Sequence, residues 1–227
     1  MKRLLLIVFS VALIALFSVA YAEPMKGEMM AKPGEMMEKA GAMMPHSSAK
    51  LDLRLAMRKL WEDHITYTRN YIISALADLE DASAVAQRLL KNQDDIGDAI
   101  KPYYVDEAGK KLSTLLRDHI SIATEVVKAA KMGNNEDLTK AQAKWNANAD
   151  DIAAFLSGAN PNWPKKDLTD MLYKHLEFTT GEVVSRLKKD WTADTDFYDK
   201  GHMHMLMFAD TLTDGIVKQF PDKFKKK

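Results

Sequence analysis

Apolar residues recur at spacings of three and four through the chain from Leu51 onward. This spacing places them on one face of a helix, and the alternation typical of strands is nearly absent. Turn signals, including Pro102 and the segment Gly133-Asn134-Asn135, divide the pattern into six segments. The predicted helices are 51–78, 82–101, 106–132, 136–157, 165–189 and 192–219. The predicted fold class is therefore an all-α, up-and-down helical bundle.

Local signals predict how the helices begin and what packs between them. Asp81 and Asn135 are the predicted N-caps of the second and fourth helices, because their side-chain oxygens can accept hydrogen bonds from free backbone N–H groups. The tryptophans are expected to pack the helices together rather than to bind a sugar or a base. They are Trp61, Trp145, Trp163 and Trp191.

A longer repeat underlies the helical pattern. Three histidines lie 55 and 56 residues apart, namely His64, His119 and His175. Asn92 and Asn148 are also 56 apart, and a further 56 residues reach His204. The repeat predicts three helical hairpins, each with a histidine on its first helix and Asn or His on its second. Because one hairpin cannot bury its apolar face, the three should pack into a single domain.

Four segments within this pattern resemble a widespread group of bacterial helical proteins. They are Leu60-Trp61-Glu62-Asp63-His64, Asn92-Gln93-Asp94-Asp95-Ile96-Gly97, Asn148-Ala149-Asp150-Asp151-Ile152 and Ala159-Asn160-Pro161-Asn162-Trp163. The resemblance spans about residues 51–224 and implies a shared helical domain. It implies no activity and no site residues.

The first 22 residues have the features of an export signal. Lys2 and Arg3 precede an apolar run over residues 4–20, and Ala20-Tyr21-Ala22 matches a cleavage pattern. The alternative is an uncleaved anchor, although the run hardly reaches the roughly 20 residues of a spanning helix. After cleavage we expect no integral membrane span. The expected location is periplasmic or secreted, and the absence of cysteine excludes a disulfide framework.

Composition divides the chain into four predicted regions. These are a signal peptide at 1–22, a flexible methionine-rich leader at 23–50, the helical domain at 51–224 and a basic tail at 225–227. Without the signal, 30 basic residues face 32 acidic ones. This near balance argues against nucleic acid as a partner. A protein partner is not identifiable from the sequence.

The leader carries three methionine pairs at intervals of seven residues. They are Met29-Met30, Met36-Met37 and Met43-Met44. Thioether sulfur is soft and suits Cu(I), so the leader resembles the methionine-rich arms of exported copper-handling proteins. Two alternatives remain, namely an oxidant sink in which methionine cycles through its sulfoxide, and plain low complexity.

A second candidate metal cluster lies in the last predicted helix, within residues 201–207. Its candidate ligands are His202, Met203, His204 and Met207. They cannot all face one ion, because Met203 and Met207 share a helix face with His204 at its edge, whereas His202 lies on another. The alternative is that Met203 and Met207 fill the core, since methionine packs well into irregular gaps.

The repeated histidines are weaker metal candidates, together with Glu182. If His64, His119 and His175 converge on one centre, their imidazoles would suit zinc, copper or iron, and Glu182 shares a helix face with His175. The alternative is a packing role, in which each buried histidine bonds to the Asn or Asp of its partner helix.

No recognised catalytic motif is present in the sequence, so an enzyme is not the favoured interpretation. The sequence predicts an exported bundle that binds or buffers a soft transition metal, with copper as the expected ion. One alternative is a non-catalytic interaction or stress-response bundle. Another is a metal or haem enzyme built around the core histidines.

Overall fold

A computed structural model describes residues 48–225, and within that range the chain is helical with no strand. The prediction of an all-α bundle is confirmed. The helices are α1 (Ala49–Leu76), α2 (Ala82–Met132), α3 (Asn135–Ala159), α4 (Lys165–Leu187) and α5 (Trp191–Gln219), followed by a 3-10 turn (Pro221–Phe224). None of these helices is both long and apolar enough to cross a membrane.

Helix α2 replaces the second and third predicted helices and contains a sharp reversal at Val105. Pro102 does not end the helix as predicted. The helical geometry breaks three residues later, where Val105 has φ 65° and ψ 169°. A Cβ atom on Gly97 would lie within 2.5 Å of the Gly109 carbonyl oxygen. In a straight helix these residues would be about 18 Å apart, so the arms 82–104 and 106–132 must fold back on each other.

The helices pack as a closed ring. Each helix contacts the next in the chain, and α5 also contacts α1. Two arginines of α1 bind two aspartates of α5 across this last contact. Arg58 Nε donates to Asp210 at 2.8 Å, and Arg54 pairs with Asp214. The start of α1 and the end of α5 therefore lie side by side.

Apolar side chains from all five helices fill the middle of the ring. The largest of the fully buried ones include Met57, Leu112, Ile152, Leu168 and Phe208. A second, smaller group consists of Ile72, Val127 and Val183, near the C-terminal ends of α1, α2 and α4. The core therefore extends along the bundle toward the C-terminal ends of α1, α2 and α4.

The helix starts differ in detail from the sequence predictions. Ser48 caps α1 by accepting a hydrogen bond of 3.3 Å from Leu51 N–H, so the helix begins two residues before position 51. Asp81 makes no capping bond, because its backbone is already helical rather than extended. Asn134, not Asn135, caps α3 by accepting a 3.1 Å bond from the N–H of the helix's third residue. Asp81 thus occupies the predicted N-cap position without the predicted bond, whereas the prediction of Asn135 was wrong.

Three helices end in the same way, with a residue of positive φ after the last turn. These residues are Asp78, Gly133 and Lys189, with φ of 54°, 65° and 59°. In each case the next N–H returns to a carbonyl five residues earlier, at 2.9 to 3.1 Å. This is the Schellman motif, which favours glycine because a Cβ atom is strained in this conformation.

These helix ends give a paired prediction. Lys189→Gly should raise the free energy of unfolding by about 0.5–1 kcal/mol, because glycine adopts the left-handed conformation without strain. Gly133→Ala should lower it by about 1 kcal/mol, and this cost is purely a backbone effect because a Cβ atom there would meet nothing within 4 Å. Urea unfolding of the two variants measures both. If both variants changed the free energy of unfolding in the same direction, the prediction would be contradicted.

The segment between α3 and α4 packs into the base of the bundle. Asn160 is buried, donates to Tyr104 Oη at 2.8 Å and accepts a bond from Asn162 N–H at 2.8 Å. Trp163 is buried next to Gly215 and donates to the Thr211 carbonyl at 3.2 Å. The packing role predicted for the tryptophans therefore holds for Trp163.

Two other tryptophans, Trp61 and Trp145, are also buried as predicted. The prediction was wrong for Trp191. Its side chain is 55% exposed at the start of α5, where the Arg186 guanidinium lies 5.4 Å from the ring centre. Position 191 lies beyond the last turn of α4, so the helices do not enclose it.

Candidate functional site

The three repeated histidines meet in the interior of the bundle. His64 lies on α1, His119 on the second arm of α2 and His175 on α4. The ring centres are 5.5 Å apart for His64 and His175, 5.9 Å for His119 and His175, and 6.5 Å for His64 and His119. All three side chains are buried. We call this group the histidine layer.

Hydrogen bonds occupy both ring nitrogens of His119. Trp145 Nε1 donates to His119 Nε2 at 3.2 Å, so Nε2 must carry the lone pair. The proton is therefore on Nδ1, which donates to Asn148 Oδ1 at 2.8 Å. Asn148 in turn donates to the Leu115 carbonyl. The packing alternative for the histidines thus describes His119 correctly.

His64 and His175 are bonded differently. The Nδ1 atom of each is buried and has no hydrogen-bond partner among the described residues. Asn92, the counterpart of Asn148, accepts a bond from Gln93 Nε2 instead of from His64. A small cavity of about 20 Å³ lies beside both rings. A volume of this size holds about one water-sized body.

Apolar side chains form most of the wall of this cavity. They include Ile72, Leu89, Ile120, Val126, Val127 and Val183. Thr68 also lines it, one helical turn after His64, and its hydroxyl has no hydrogen-bond partner among the described residues. Tyr71, Thr124 and Thr180 are only partly buried and form the part of the lining nearest to solvent.

The histidine layer is uncharged at neutral pH. Burial, with a further contribution from neighbouring His119, lowers the pKa of His64 to about 3. Burial lowers the pKa of His119 to about 4, although its bond to Asn148 acts in the opposite direction. Burial and the other imidazoles hold the pKa of His175 well below its usual value. Neutral imidazole is the form that binds metal ions.

The arrangement does not amount to a conventional metal centre. Among residues 48–225, no group of three or more His, Asp or Glu side chains is placed so that it could hold a metal ion. In addition, both nitrogens of His119 are already hydrogen-bonded. The described geometry therefore gives no support to a three-histidine centre.

Glu182 belongs to a separate buried ion-pair network. Arg69 donates to Glu182 at 2.8 Å and to both carboxylate oxygens of Asp194 at 2.5 and 2.9 Å. Arg186 donates to Asp194 at 2.9 Å. Burial raises the pKa of Glu182 to about 7, and the opposing effect of Arg69 is weaker than that of burial. Glu182 thus binds Arg69 rather than a site beside His175.

The second candidate cluster spreads over three faces of α5. Met205 is buried in the core. His202 lies against α1, where Nε2 is 3.2 Å from Glu62 Oε1, and its ring stacks on Tyr198. His204 lies against α4, where Nε2 donates to the Met171 carbonyl at 2.8 Å. The sequence prediction that these ligands cannot all face one ion agrees with this geometry.

Met203 and Met207 lie on the exposed face of α5. Their side chains are 59% and 54% exposed, so the alternative that they fill the core is wrong. They are one helical turn apart, which brings their Cβ atoms within about 6 Å. His204 lies beside them, with Nδ1 not used in its bond to Met171. We call these three residues the α5 cluster.

The leader candidates, Met29, Met30, Met36, Met37, Met43 and Met44, lie outside the described residues, as does the predicted signal at 1–22 and the end of the basic tail. Comparisons with protein-family models, with curated proteins and with solved structures found no match to this chain. The candidate sites therefore rest on their own geometry.

Sequence reasoning missed two parts of this region. Thr68 shares a helix face with His64 at a spacing of four, so the helical period alone could have identified it. The pairing of Arg69 with Asp194 spans 125 residues and joins side chains with no counterpart in the repeat. No local signal predicted it.

Proposed function

We propose that this chain is an exported helical bundle that binds or buffers a soft transition metal, with copper as the metal. The ligands are the methionine pairs of the leader and the α5 cluster. Export rests on the signal features of residues 1–22, and an oxidising compartment would suit a chain without cysteine. No reaction is proposed, and the bundle serves as a carrier.

The exposure of Met203 and Met207 is the observation that carries this proposal. Two thioethers one turn apart can reach the same ion, and the free Nδ1 of His204 adds a borderline nitrogen ligand. Such a set suits Cu(I) better than a hard cation such as Mg²⁺. Isolated exposed methionines are common and need no function. The proposal is supported by the proximity of two methionines and a histidine, and not by exposure alone.

We also propose that the domain consists of three copies of one helical hairpin. Three equivalent hydrogen bonds support this. Asn92 donates to the Leu60 carbonyl at 3.0 Å, Asn148 to Leu115 at 3.0 Å and His204 to Met171 at 2.8 Å. Each acceptor lies one turn before a histidine of the histidine layer. His204 would then occupy the position of the two asparagines.

Further support for the repeat comes from buried positions and helix ends. The three residues with positive φ, Asp78, Gly133 and Lys189, are 55 and 56 residues apart, like the histidines. Buried residues recur at the same intervals. Examples are Met57 with Leu112 and Leu168, Ile72 with Val127 and Val183, and Ile96 with Ile152 and Phe208.

The second candidate function is a non-catalytic interaction or stress-response bundle whose histidines serve packing. The bonding of both His119 nitrogens favours it. Under this hypothesis the chain would keep its fold and its partners without binding metal. The two candidates differ in whether Cu(I) binds at all.

An anaerobic Cu(I) titration against a chromogenic chelator tests the proposal. We expect Met203→Leu with Met207→Leu, in a chain whose seven leader methionines are also Leu, to weaken Cu(I) binding at least tenfold relative to the leader variant alone. Tenfold corresponds to about 1.4 kcal/mol. The cause is loss of two thioether ligands without loss of volume.

Met132→Leu is the matched control, because Met132 is also exposed but has no methionine or histidine one turn away in its helix. It should leave Cu(I) affinity unchanged. Equal affinities for the leader variant with and without Met203 and Met207 would remove the α5 cluster from the proposal. No Cu(I) binding by the unaltered chain would favour the packing hypothesis.

A further inference from the structure

The two arms of α2 are joined by a single residue, Val105, whose backbone conformation is strained. Within α2 it alone has non-helical dihedral angles, with φ 65° and ψ 169°. Glycine populates this region almost exclusively, because a Cβ atom clashes there with the neighbouring backbone, and a β-branched residue is a clear outlier. The Val105 side chain is 65% exposed, so its own packing offsets little of the strain. The reversal is therefore held in place by the contacts on either side of it.

The strain belongs to the shortness of this connection. The connection between α3 and α4 spans residues 160–164 and contains no residue with positive φ. It lies at the same end of the bundle, since Asn160 donates to Tyr104 Oη at 2.8 Å. Where only one residue joins two helices, its two dihedral angles must provide the whole reversal. The strain would disappear if Val105 became helical.

We propose that two copies of this chain form a dimer by exchanging their N-terminal hairpins, with Val105 as the hinge. The N-terminal hairpin consists of α1 and the first arm of α2. In the exchanged dimer, α2 is one continuous helix over residues 82–132, and each N-terminal hairpin packs on the remaining helices of the other copy. Short connections under strain favour such an exchange, because opening removes the strain and the packing contacts re-form with the partner. The proposal does not depend on metal binding.

A second copy can supply the partners that the N-terminal hairpin has in one chain. Arg58 of α1 donates to Asp210 of α5 at 2.8 Å. In the first arm of α2, Asp94 accepts a 3.0 Å bond from Arg117 of the second arm. Both partners come after Val105 in the sequence, so the exchanged dimer contains the same pairs with one member from each copy. The contacts outside the hinge therefore do not oppose the exchange.

The backbone next to the hinge is compatible with a continuous helix. Pro102 already lies inside the helical first arm, so its missing N–H costs the same in both forms. The Pro102 carbonyl accepts a hydrogen bond of 2.8 Å from Lys223 Nζ in the reversed form. In a continuous helix it would accept the N–H of Asp106 instead. Opening the hinge thus replaces one exposed side-chain bond with a backbone bond.

Sedimentation velocity tests the proposal on the whole chain, refolded from urea at a series of protein concentrations. Refolding allows the hairpins to exchange before the bundle closes. We expect a dimer whose fraction rises with concentration. Val105→Gly should lower the dimer association constant at least about tenfold, because glycine accepts positive φ without strain and weakens a continuous helix. Each dimer contains two hinges, so both effects count twice.

Lys110→Gly is the matched control. Lys110 is exposed and lies in the second arm of α2, where it is helical in both forms. The substitution should reduce the stability of monomer and dimer alike, because glycine is a poor helix former. The dimer association constant should therefore stay unchanged.

Cross-linking distinguishes exchange from docking of two closed bundles. Because the chain has no cysteine, Asp94→Cys with Arg117→Cys places one thiol on each arm of α2. A short bismaleimide should join two chains covalently in the isolated dimer, and a denaturing gel shows this directly. Three results would each overturn the proposal: monomer at every concentration, cross-links only within single chains, or an unchanged association constant in Val105→Gly.

Discussion

The free energy of unfolding should fall steeply as the pH drops below about 6.5. In the unfolded chain His64, His119 and His175 take up protons near pH 6.5, whereas in the folded chain burial lowers the pKa of His64 to about 3, that of His119 to about 4 and that of His175 well below normal. The stabilising contribution of the three histidines is thus fully present above pH 6.5 and is lost as the pH falls toward 4. Each histidine contributes about 1.4 kcal/mol per pH unit.

Glu182 opposes part of this effect. Its pKa is raised to about 7 in the folded chain, so between pH 7 and 4.5 the folded chain takes up a proton that the unfolded chain does not. The net difference between pH 6.5 and 4.5 is therefore about two protons, or about 3 kcal/mol per pH unit. Native domains have only about 5–15 kcal/mol of stability, so we expect unfolding between about pH 5 and 3.

Urea unfolding at a series of pH values measures this slope. His119→Gln should lower it by about 1.4 kcal/mol per pH unit, and Glu182→Gln should raise it by the same amount, because each removes one titrating group. The two variants act in opposite directions, so a general loss of stability cannot imitate the result. A slope of zero between pH 6.5 and 4.5 would show that the histidines are not buried.

The second large effect is expected at Gly215 on α5. A Cβ atom there would lie 1.8 Å from Trp163 Nε1 and 2.5 Å from Trp163 Cδ1. The indole cannot move aside easily, because it is buried and bonded to the Thr211 carbonyl. Gly215→Ala should therefore lower the free energy of unfolding by about 3 kcal/mol, the upper end of the usual cost of overpacking.

Gly158→Ala is the matched control. Gly158 also lies in a helix, but a Cβ atom there would meet nothing within 4 Å. Without a clash, only the better helix propensity of alanine remains, which should stabilise the fold by up to about 1 kcal/mol. Thermal or urea unfolding distinguishes the two. A similar small gain at position 215 would mean that Trp163 is free to move.

The spacing of apolar residues in the sequence correctly predicted that the chain is helical. The sequence repeat predicted equivalent positions for His64, His119 and His175, and the structure places all three in one buried layer. The sequence did not predict that the chain reverses at Val105. A β-branched residue with positive φ is rare, and Pro102 gave a stronger but misplaced signal.

The bonding within the histidine layer also exceeded what the sequence could predict. Trp145 bonds to His119, but the residues 56 positions before and after it are Leu89 and Gly201, which cannot donate from a side chain. The repeat therefore predicts three similar histidines and the structure contains one that is fully bonded and two that are not. Where one copy of the repeat has a different residue, the change in hydrogen bonding depends on packing and is visible only in the structure.

The contacts that close the ring impose an order on folding. Arg58 and Asp210 are 152 residues apart in the chain, and Arg54 and Asp214 are 160 apart. Asp210 and Asp214 are synthesised long after α1, so the side of α1 that faces α5 is covered only after α2, α3 and α4 have been made. Contacts of such long range slow folding, because the intervening chain must be ordered first. During synthesis, the face of α1 that packs against α5 is therefore exposed for longer than the face that packs against α2.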